Sequence, residues 1–389
     1  MKIAVVAVTK QGTALAEKTA ARLSDSGAHE TVFYVPGKFS LPEKYSLPGT
    51  KDISGRRQIY TKPLKEVLGD LFDEYEGIVC IMALGIVVRL IAPYVRDKIS
   101  DPAVVVMDEL GQNVISVLSG HWGGANALAV QIADSLGARP VITTATDVNG
   151  LPAIEMVARE YDLTIEPFDL VKKVNSAIVN RQKVTIYSEI PIDLPIETPI
   201  EIPSDIPMEM PVETGPSGNI TVRDFAEYSP SCRDEHMVVL VTDRTARSFP
   251  KGILFLRPQS LCIGVGCRKG VSCEEVKGAV LTALEESGRA LGSVRSLASI
   301  DIKSGEQGLL DAAGEFNLPV EFFGRQALLG IRKQREDELS FSEFVNSKIG
   351  VGGVCEPAAI LGAGETSRLI LPKRKYGRVT VAIAGESWQ

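Results

Sequence analysis

Short, continuously apolar runs alternate with helical patterns along the first 150 residues of the chain. Residues 77–83 and 103–107 are almost wholly apolar, whereas residues 64–75 and 127–136 place their apolar side chains at helical spacing. Strands that are apolar at every position are buried on both faces, which is typical of a parallel sheet covered by helices. The sequence therefore predicts an N-terminal α/β domain over residues 1–150, with a largely parallel sheet.

A second alternation of the same kind begins at Leu261. A strand and a glycine-rich turn at 261–270 precede a helical pattern at 274–286. The chain then finishes as a predicted hairpin between residues 368 and 384. These patterns predict a C-terminal α/β domain over residues 259–389.

A tetrapeptide repeat interrupts the middle of the chain, residues 151–258. Proline recurs at every fourth position from Pro191 to Pro211, and an acidic residue follows each proline by two positions. Proline at this spacing rules out a helix interior or a central strand, and the like charges favour an extended chain. We therefore predict a small middle domain with an extended proline–acidic linker at residues 189–216. A docking strip for a partner is the alternative interpretation.

Length and composition narrow the class of protein. A chain of 389 residues exceeds one typical core, so two or three domains are expected. The net charge of −7 argues against non-specific nucleic-acid binding, which needs a basic face, but allows binding of an anionic small molecule.

No apolar run approaches the roughly 18 residues of a membrane span, and the apolar run at the N-terminus lacks a site resembling that of signal-peptide cleavage. The six cysteines are scattered and form no disulfide framework, so a cytoplasmic location is predicted.

The strongest candidate for a functional site is the glycine-dense turn at residues 119–126. His121 lies in this turn, directly before a predicted helix whose start is expected to present free N–H groups. An imidazole titrates near neutral pH, so His121 is a candidate for general acid–base catalysis. Asn126 is a candidate for orienting a carbonyl or carboxylate of a ligand. The alternative for His121 is a polar core position or a turn cap.

Polar residues also follow the strand predicted at 139–143. Ligands of open α/β sheets bind at the carboxyl ends of strands, so Thr144 and Asp147 are candidate site residues. A cap for the helix predicted near Pro152 is an equally good interpretation of Asp147.

Three basic residues, Arg89, Arg96 and Lys98, cluster around a predicted turn at Pro93. They are candidates for binding carboxylates of a ligand. Ordinary surface charge is the alternative, because exposed basic residues near a helix end are common.

The glycine-rich stretch at 264–270 is only superficially similar to a nucleotide-binding fingerprint. The third glycine of a dinucleotide motif would fall at Lys269, and no Walker Lys-Ser/Thr pair follows. An anion site at the helix start, formed with Arg268 and Lys269, fits better. Cys267 is either an activated thiolate or a structural residue. Glu356, which begins a helix after a second glycine-rich loop, is a further candidate for ligand binding, with helix capping as the alternative.

Several blocks of the chain resemble the cobalt-precorrin 5A hydrolases of anaerobic cobalamin biosynthesis. The resemblance rests on seven blocks in the expected order: residues 84–89, 101–106, 119–126, 143–147, 264–270, 299–303 and 353–359. It implies a hydrolase that opens the δ-lactone of cobalt-precorrin 5A and expels a two-carbon unit as acetaldehyde, giving cobalt-precorrin 5B. The proline–acidic repeat departs from the family pattern and falls in its variable middle.

The resemblance also gives the candidate residues specific roles, as hypotheses. His121 becomes the candidate acid or base, with Asp147 as a second catalytic residue and the amides of Gly123 and Gly124 as oxyanion donors. The carboxylates of the substrate would contact Arg89, Arg96, Arg268 and Lys269. No cofactor or protein-bound metal is expected, because the cobalt belongs to the corrinoid substrate. Self-association and contacts with other pathway enzymes stay open, and the alternative function is a non-catalytic corrinoid carrier.

Overall fold

The computed structural model describes residues 1–25, 27–39, 56–97, 100–194, 219–230, 237–364 and 366–386. These residues form two compact units, one of residues 1–156 and the other of the described residues from 157 onward. The predicted proline–acidic linker at 189–216 lies outside the described residues from position 195 on, and so does Lys98.

The first unit is built on a seven-stranded sheet. The strand order is β3-β2-β1-β4-β5-β6-β7, and every neighbouring pair is parallel except β5 with β6. This confirms the predicted parallel α/β class. The strands are β1 (Lys2–Ala7), β2 (Glu30–Pro36), β3 (Arg57–Tyr60), β4 (Gly77–Ile81), β5 (Ala103–Met107), β6 (Asn113–Leu118) and β7 (Arg139–Val141).

Helices cover both faces of this sheet, which explains why its central strands are apolar at every position. In β1, Ile3 and Val5 pack on the same side as α1 and α4, whereas Ala4 and Val6 pack with α2 and α3. The helices of this region are α1 (Lys10–Asp25), α2 (Leu64–Glu74), α3 (Leu84–Ile91), α4 (Ala125–Leu136), α5 (Ala145–Val148) and α6 (Ile154–Glu160).

The directions of the strands decide which edge of the first sheet each loop reaches. β6 runs antiparallel to β5, with Leu118 opposite Val104, and β7 runs parallel to β6, with Val141 opposite Ile115. The ends of β6 and β7 therefore lie at the edge where β5 begins. This edge is opposite to the one at which β1, β4 and β5 end.

The second unit contains two five-stranded sheets. In the first, the order is β10-β9-β11-β12-β8, and only β8 runs antiparallel to its neighbour. Its elements are β8 (Leu163–Glu166), α7 (Val171–Val179), β9 (Val184–Ser188), β10 (Ile220–Asp224), β11 (Met237–Val241) and β12 (Leu254–Pro258).

The last sheet has the order β15-β14-β13-β17-β16, with β13, β14 and β15 parallel and β17 antiparallel to both of its neighbours. The predicted terminal hairpin is confirmed by β16 and β17. The strands are β13 (Leu261–Cys267), β14 (Val294–Ile300), β15 (Val320–Phe323), β16 (Arg368–Tyr376) and β17 (Val379–Gly385). The helices are α8 (Cys273–Ser287), α9 (Gln307–Phe316), α10 (Arg325–Gln334), α11 (Glu343–Ile349) and α12 (Cys355–Ala363).

Candidate active site

The glycine-dense turn between β6 and α4 folds tightly back on itself. Ser119 adopts a left-handed conformation with φ of 56°, and Gly124 does so with φ of 85°. A Cβ atom at Gly123 would lie 2.9 Å from the carbonyl oxygen of Ser119, so this position requires the close approach that glycine allows. The turn is therefore fixed by its backbone, and it holds His121 at the end of β6.

The amides at the start of α4 are already bonded within the turn. Gly124 donates to the carbonyl of His121 at 3.0 Å, and Ala125 donates to that of Ser119 at 3.1 Å. The N–H of Asn126 donates to the carbonyl of Gly120 at 3.0 Å. The expectation of free amides at this helix start is thus wrong for these three residues, and Gly124 is not an oxyanion donor. The same role for Gly123 stays a prediction.

His121 lies between two carboxylates, one on each ring nitrogen. Nε2 is 2.6 Å from Oδ2 of Asp147, and Nδ1 is 3.0 Å from Oε1 of Glu155. Burial alone would lower the pKa of His121, but the hydrogen bonds and negative charges of the two carboxylates raise it to about 9. His121 is therefore an imidazolium at neutral pH, and both of its nitrogens are donors.

Asp147 and Glu155, the two carboxylates beside His121, are both largely enclosed by the protein. Burial would raise the pKa of Asp147, but the hydrogen bond and positive charge of His121 lower it below its usual value. The side chains of Asp147 and Glu155 are only 13% and 11% exposed. Asp147 lies within α5 rather than at the start of the helix after Pro152, so capping of that helix does not explain it.

Glu155 and Thr146 complete the site and were not predicted from the sequence. Glu155 occupies the first turn of α6, where acidic residues are common for electrostatic reasons, so its position carried no distinguishing signal. Thr146 places its hydroxyl 3.0 Å from Nε2 of His121. Thr146 lies within the block at 143–147 that carries the family resemblance, but nothing in the sequence indicated its contact with His121, and Glu155 lies in none of the seven blocks.

Asn126 ties the turn to the segment that carries Asp147. Its Oδ1 accepts from the hydroxyl of Ser116 at 2.6 Å, and its Nδ2 donates to the hydroxyl of Thr144 at 3.1 Å. The side chain of Asn126 is buried, and with Thr144 it positions the site; the predicted roles of both residues in substrate binding stay predictions.

A cavity of about 490 Å³ lies beside His121, with α4 as one wall. Of the predicted residues of this unit, the cavity is lined by His121, Gly124, Asn126 and Asp147 but not by Gly123, Thr144, Arg89 or Arg96. Its other lining residues are Gly120, Ala127, Val130, Gln131, Asp134, Ile142 and Met156. His121, held between two carboxylates, therefore faces a ligand-sized space.

The structure separates the two predicted arginines of the first unit. The guanidinium of Arg89 donates to the carbonyl of Gly85 at 3.1 Å, which holds it where α3 begins, at the edge opposite His121. Arg96 lies at the same edge as His121, because its amide binds the carboxylate of Asp101 and the carbonyl of Asp101 accepts from Ser119. Its guanidinium pairs with Asp73 at 3.0 Å. The predicted cluster of Arg89 with Arg96 is therefore wrong.

The predicted residues of the last sheet fall into two kinds. Arg268 and Lys269 are exposed after β13. Glu356 is only 2% exposed, and its carboxylate accepts from the amides of Ser340 at 2.9 Å and Lys373 at 3.1 Å. The prediction that Glu356 binds substrate is therefore corrected: it holds two chain segments together. Burial raises the pKa of Cys267, which favours the structural interpretation of that thiol.

One group in the described chain has the composition of a metal site. Cys273, Glu274 and Glu315 lie close enough to share an ion, but Glu315 also pairs with Lys277. The two carboxylates are exposed, and exposed acidic groups of this kind are common without a metal. The predicted absence of a protein-bound metal stays a prediction.

Comparison with known proteins now identifies the family. Three family models match in order along the chain: "Cobalamin synthesis G N-terminal" at residues 66–147, "Cobalamin biosynthesis central region" at 152–258 and "Cobalamin synthesis G C-terminus" at 261–384. The cobalt-precorrin-5A hydrolase of Priestia megaterium is 33% identical over 98% of this chain and 94% of its own length. This chain belongs to the cobalamin synthesis G family.

Two further members of the cobalamin synthesis G family support the same grouping. The cobalt-precorrin-5A hydrolase of Salmonella typhimurium is 35% identical over 75% of this chain and 77% of its own length. A probable cobalt-precorrin-5A hydrolase of Methanocaldococcus jannaschii is 30% identical over 80% of this chain and 86% of its own length. All three relatives are named as hydrolases, so a non-catalytic carrier is not favoured.

Within the described residues, no helix is long and apolar enough to cross a membrane.

Proposed function

We propose that this member of the cobalamin synthesis G family is a cobalt-precorrin-5A hydrolase. It opens the δ-lactone of cobalt-precorrin 5A and releases acetaldehyde, giving cobalt-precorrin 5B. The observation that carries this proposal is the near full-length similarity to a hydrolase of that name, 33% identical over 98% of the chain. The cavity beside His121 supplies groups suited to such a hydrolysis.

The reaction needs one water and two proton transfers. Water adds to the lactone carbonyl carbon and gives up a proton, and the ring C–O bond breaks to leave a carboxyl group and an alkoxide. The alkoxide oxygen forms the C=O of acetaldehyde as the carbon–carbon bond to the macrocycle breaks. The electron pair of that bond passes into the macrocycle, which takes up a proton. No step requires an oxidant or a reductant.

The protonation states of His121 and Asp147 decide which residue gives a proton and which accepts one. His121 is already protonated, so it serves as the proton donor rather than as the base that removes a proton from water. Asp147 lines the cavity as a carboxylate and is the group placed to accept the proton of water. Glu155 and Thr146 act through His121, as positioning residues, because each contacts its ring. Gly123 does not line the cavity, so its predicted role as an oxyanion donor is not used in this mechanism and stays a prediction.

The test of this proposal is acetaldehyde release from cobalt-precorrin 5A. We expect His121→Gln to lower kcat by about 10²–10⁴-fold, the usual contribution of a general acid–base residue. Glu66→Gln is the control, since Glu66 is exposed on α2 of the same unit and does not line the cavity, and near wild-type turnover is expected for it. Full acetaldehyde release by His121→Gln would contradict the assignment of His121, and binding without release by the wild-type chain would contradict the function.

Other parts of the proposal rest on the sequence alone. We propose that the enzyme works in the cytoplasm without a resident cofactor, because the cobalt arrives within the substrate. Arg268 and Lys269 stay candidates for contact with substrate carboxylates. The division into domains at residues 1–150, 151–258 and 259–389 is likewise retained as a prediction.

A further inference from the structure

The glycine-rich loop before α12 lies at the edge of the last sheet where β13, β14 and β15 end. α12 packs against β13, and a Cβ atom at Gly266, next to the end of β13, would lie 3.8 Å from Cβ of Val354. The loop at residues 350–353 therefore lies beside the carboxyl ends of three parallel strands, with Val351, Gly352 and Gly353 buried. Ligands of open α/β sheets bind at such edges.

Phe341 is held firmly beside this loop and is nevertheless 62% exposed. The preceding residue, Ser340, donates its amide and its hydroxyl to Glu356 at 2.9 and 2.7 Å. The amide of the following residue, Ser342, donates to the carbonyl of Gly352 at 2.7 Å. A side chain at Gly352 would overlap the Phe341 ring, so glycine lets the ring rest on the loop backbone. Phe341 is therefore an exposed aromatic side chain whose backbone is fixed on both sides.

Cations flank the same ring. The guanidinium of Arg332 lies 5.5 Å from the centre of the Phe341 ring, and Arg332 also donates to the carbonyl of Ser340 at 2.9 Å. The exposed Arg325 lies against Gly350, at the other end of the glycine loop. The surface therefore combines an exposed aromatic ring with positive charge.

Two further apolar side chains are exposed in the same unit. Phe344, three residues after Phe341, is 70% exposed, and Ile302, which follows β14, is 61% exposed. Together with the exposed Arg268 and Lys269 after β13, they lie on segments that leave the same edge of the sheet or border its glycine loop. We call Phe341, Phe344, Arg325 and Arg332, which border the loop at 350–353, the Phe341 platform.

We infer that the Phe341 platform binds the flat conjugated ring of a tetrapyrrole through stacking, with the arginines contacting carboxylates on the rim of the ring. This inference rests on the proposed function for the identity of the ligand as a corrinoid of the pathway. The chemistry itself follows from the platform: aromatic rings stack on conjugated faces, and guanidinium groups bind carboxylates in bidentate geometry. Glu356 acts here as a positioning residue, because it fixes Ser340 and so the direction of Phe341.

Uroporphyrin III provides a direct probe, since it is flat, conjugated and edged with carboxylates. Its binding to the full chain is measured by fluorescence quenching at fixed ionic strength. We expect Phe341→Ala to weaken the affinity about tenfold and Phe344→Ala to weaken it by less. Leu281→Ala is the matched control, because Leu281 is 47% exposed on α8 of the same unit, and it is expected to bind as the wild type does.

The methyl ester of the same porphyrin isolates the ionic contribution. Weaker binding of the ester, and loss of salt dependence in Arg325→Gln and Arg332→Gln, would support the carboxylate contacts. Equal affinity of Phe341→Ala and the wild type would overturn the inference, as would a wild-type chain that does not bind uroporphyrin. A change in sedimentation without a change in porphyrin affinity would instead assign Phe341 to self-association and also overturn it. Acetaldehyde release by the wild-type chain is scored separately, so failure of the platform and failure of the proposed hydrolase remain distinguishable.

Discussion

His121 owes its chemistry to its two carboxylate neighbours rather than to the turn that carries it. An isolated imidazole beside a helix start would be neutral for much of the physiological range, because the helix dipole disfavours a cation there. Asp147 and Glu155 outweigh burial and raise the pKa of His121 to about 9. The residue could be singled out from its sequence context, but its charge state could not, because Glu155 lies 34 positions away.

The contribution of Glu155 can be measured directly. Glu155→Gln removes one negative charge and leaves a group that still fits beside Nδ1, so we expect the pKa of His121 to fall from about 9 toward 6.5. An NMR titration of the imidazole carbon-bound protons reports this shift. Asp73→Asn, at an exposed acid of the same unit that pairs with Arg96, is the control and should leave the His121 titration in place. An unchanged His121 titration in Glu155→Gln would show that Glu155 does not stabilise the imidazolium.

At the scale of the element, α4 begins differently from a helix that offers its amides to a ligand. Its turn closes on itself, so that Gly124, Ala125 and Asn126 donate to carbonyls of residues 119–121. Sequence spacing predicted the helix and its glycine start, and both are present. The amides are bonded within the turn because Ser119 and Gly124 adopt left-handed conformations. These residue types allow such conformations but do not require them, so the sequence could not predict this.

The glycine motif of β13 has a packing role that a substitution can test. A Cβ atom at Gly264 would lie 2.8 Å from the amide nitrogen of Ala359 and overlap the carbonyl of Cys355, so α12 would have to move away from the sheet. We expect Gly264→Ala to lower the free energy of unfolding by about 1–3 kcal/mol, as overpacking does. Urea denaturation measures the loss.

Gly278 provides the opposite case within the same unit. It lies inside α8, and a Cβ atom there would meet nothing within 4 Å. Gly278→Ala is expected to stabilise by about 0.5–1 kcal/mol, because alanine loses less backbone entropy in a helix. If both variants changed stability by the same amount, close packing of α12 would not be the reason for glycine at position 264.

At the scale of the whole molecule, local sequence patterns predicted the α/β class and the terminal hairpin of β16 with β17. It could not predict which edge of the first sheet each loop reaches, because that depends on pairing between distant strands. Arg89 and Arg96 are seven positions apart in sequence, yet the guanidinium of Arg89 is held at the edge opposite the one where Arg96 lies. The platform at Phe341 was missed for a similar reason, since the exposure of a phenylalanine is set by tertiary packing.

The stability of the first unit is expected to depend on pH through His121. Its pKa is raised from 6.5 to about 9 in the folded state, so the folded chain binds this proton more tightly than the unfolded chain. The resulting stabilisation, a few kcal/mol, is fully present below pH 6.5 and is lost as the pH rises through about 9. Asp147 has the opposite sign: its lowered pKa stabilises the fold above its usual value of 3.8 and this effect is lost on acidification.

Comparison of two variants isolates this dependence from that of the other titrating groups. In urea denaturation between pH 6.5 and 9, the wild-type chain should lose stability more steeply than His121→Gln, which has no proton to release there. Gly278→Ala changes no titrating group, so it should keep the wild-type slope while shifting the curve as a whole. Parallel curves for the wild type and His121→Gln would mean that the carboxylates of Asp147 and Glu155 do not hold His121 as an imidazolium in solution. The proton-donor role assigned to His121 would then have to pass to another group of the cavity.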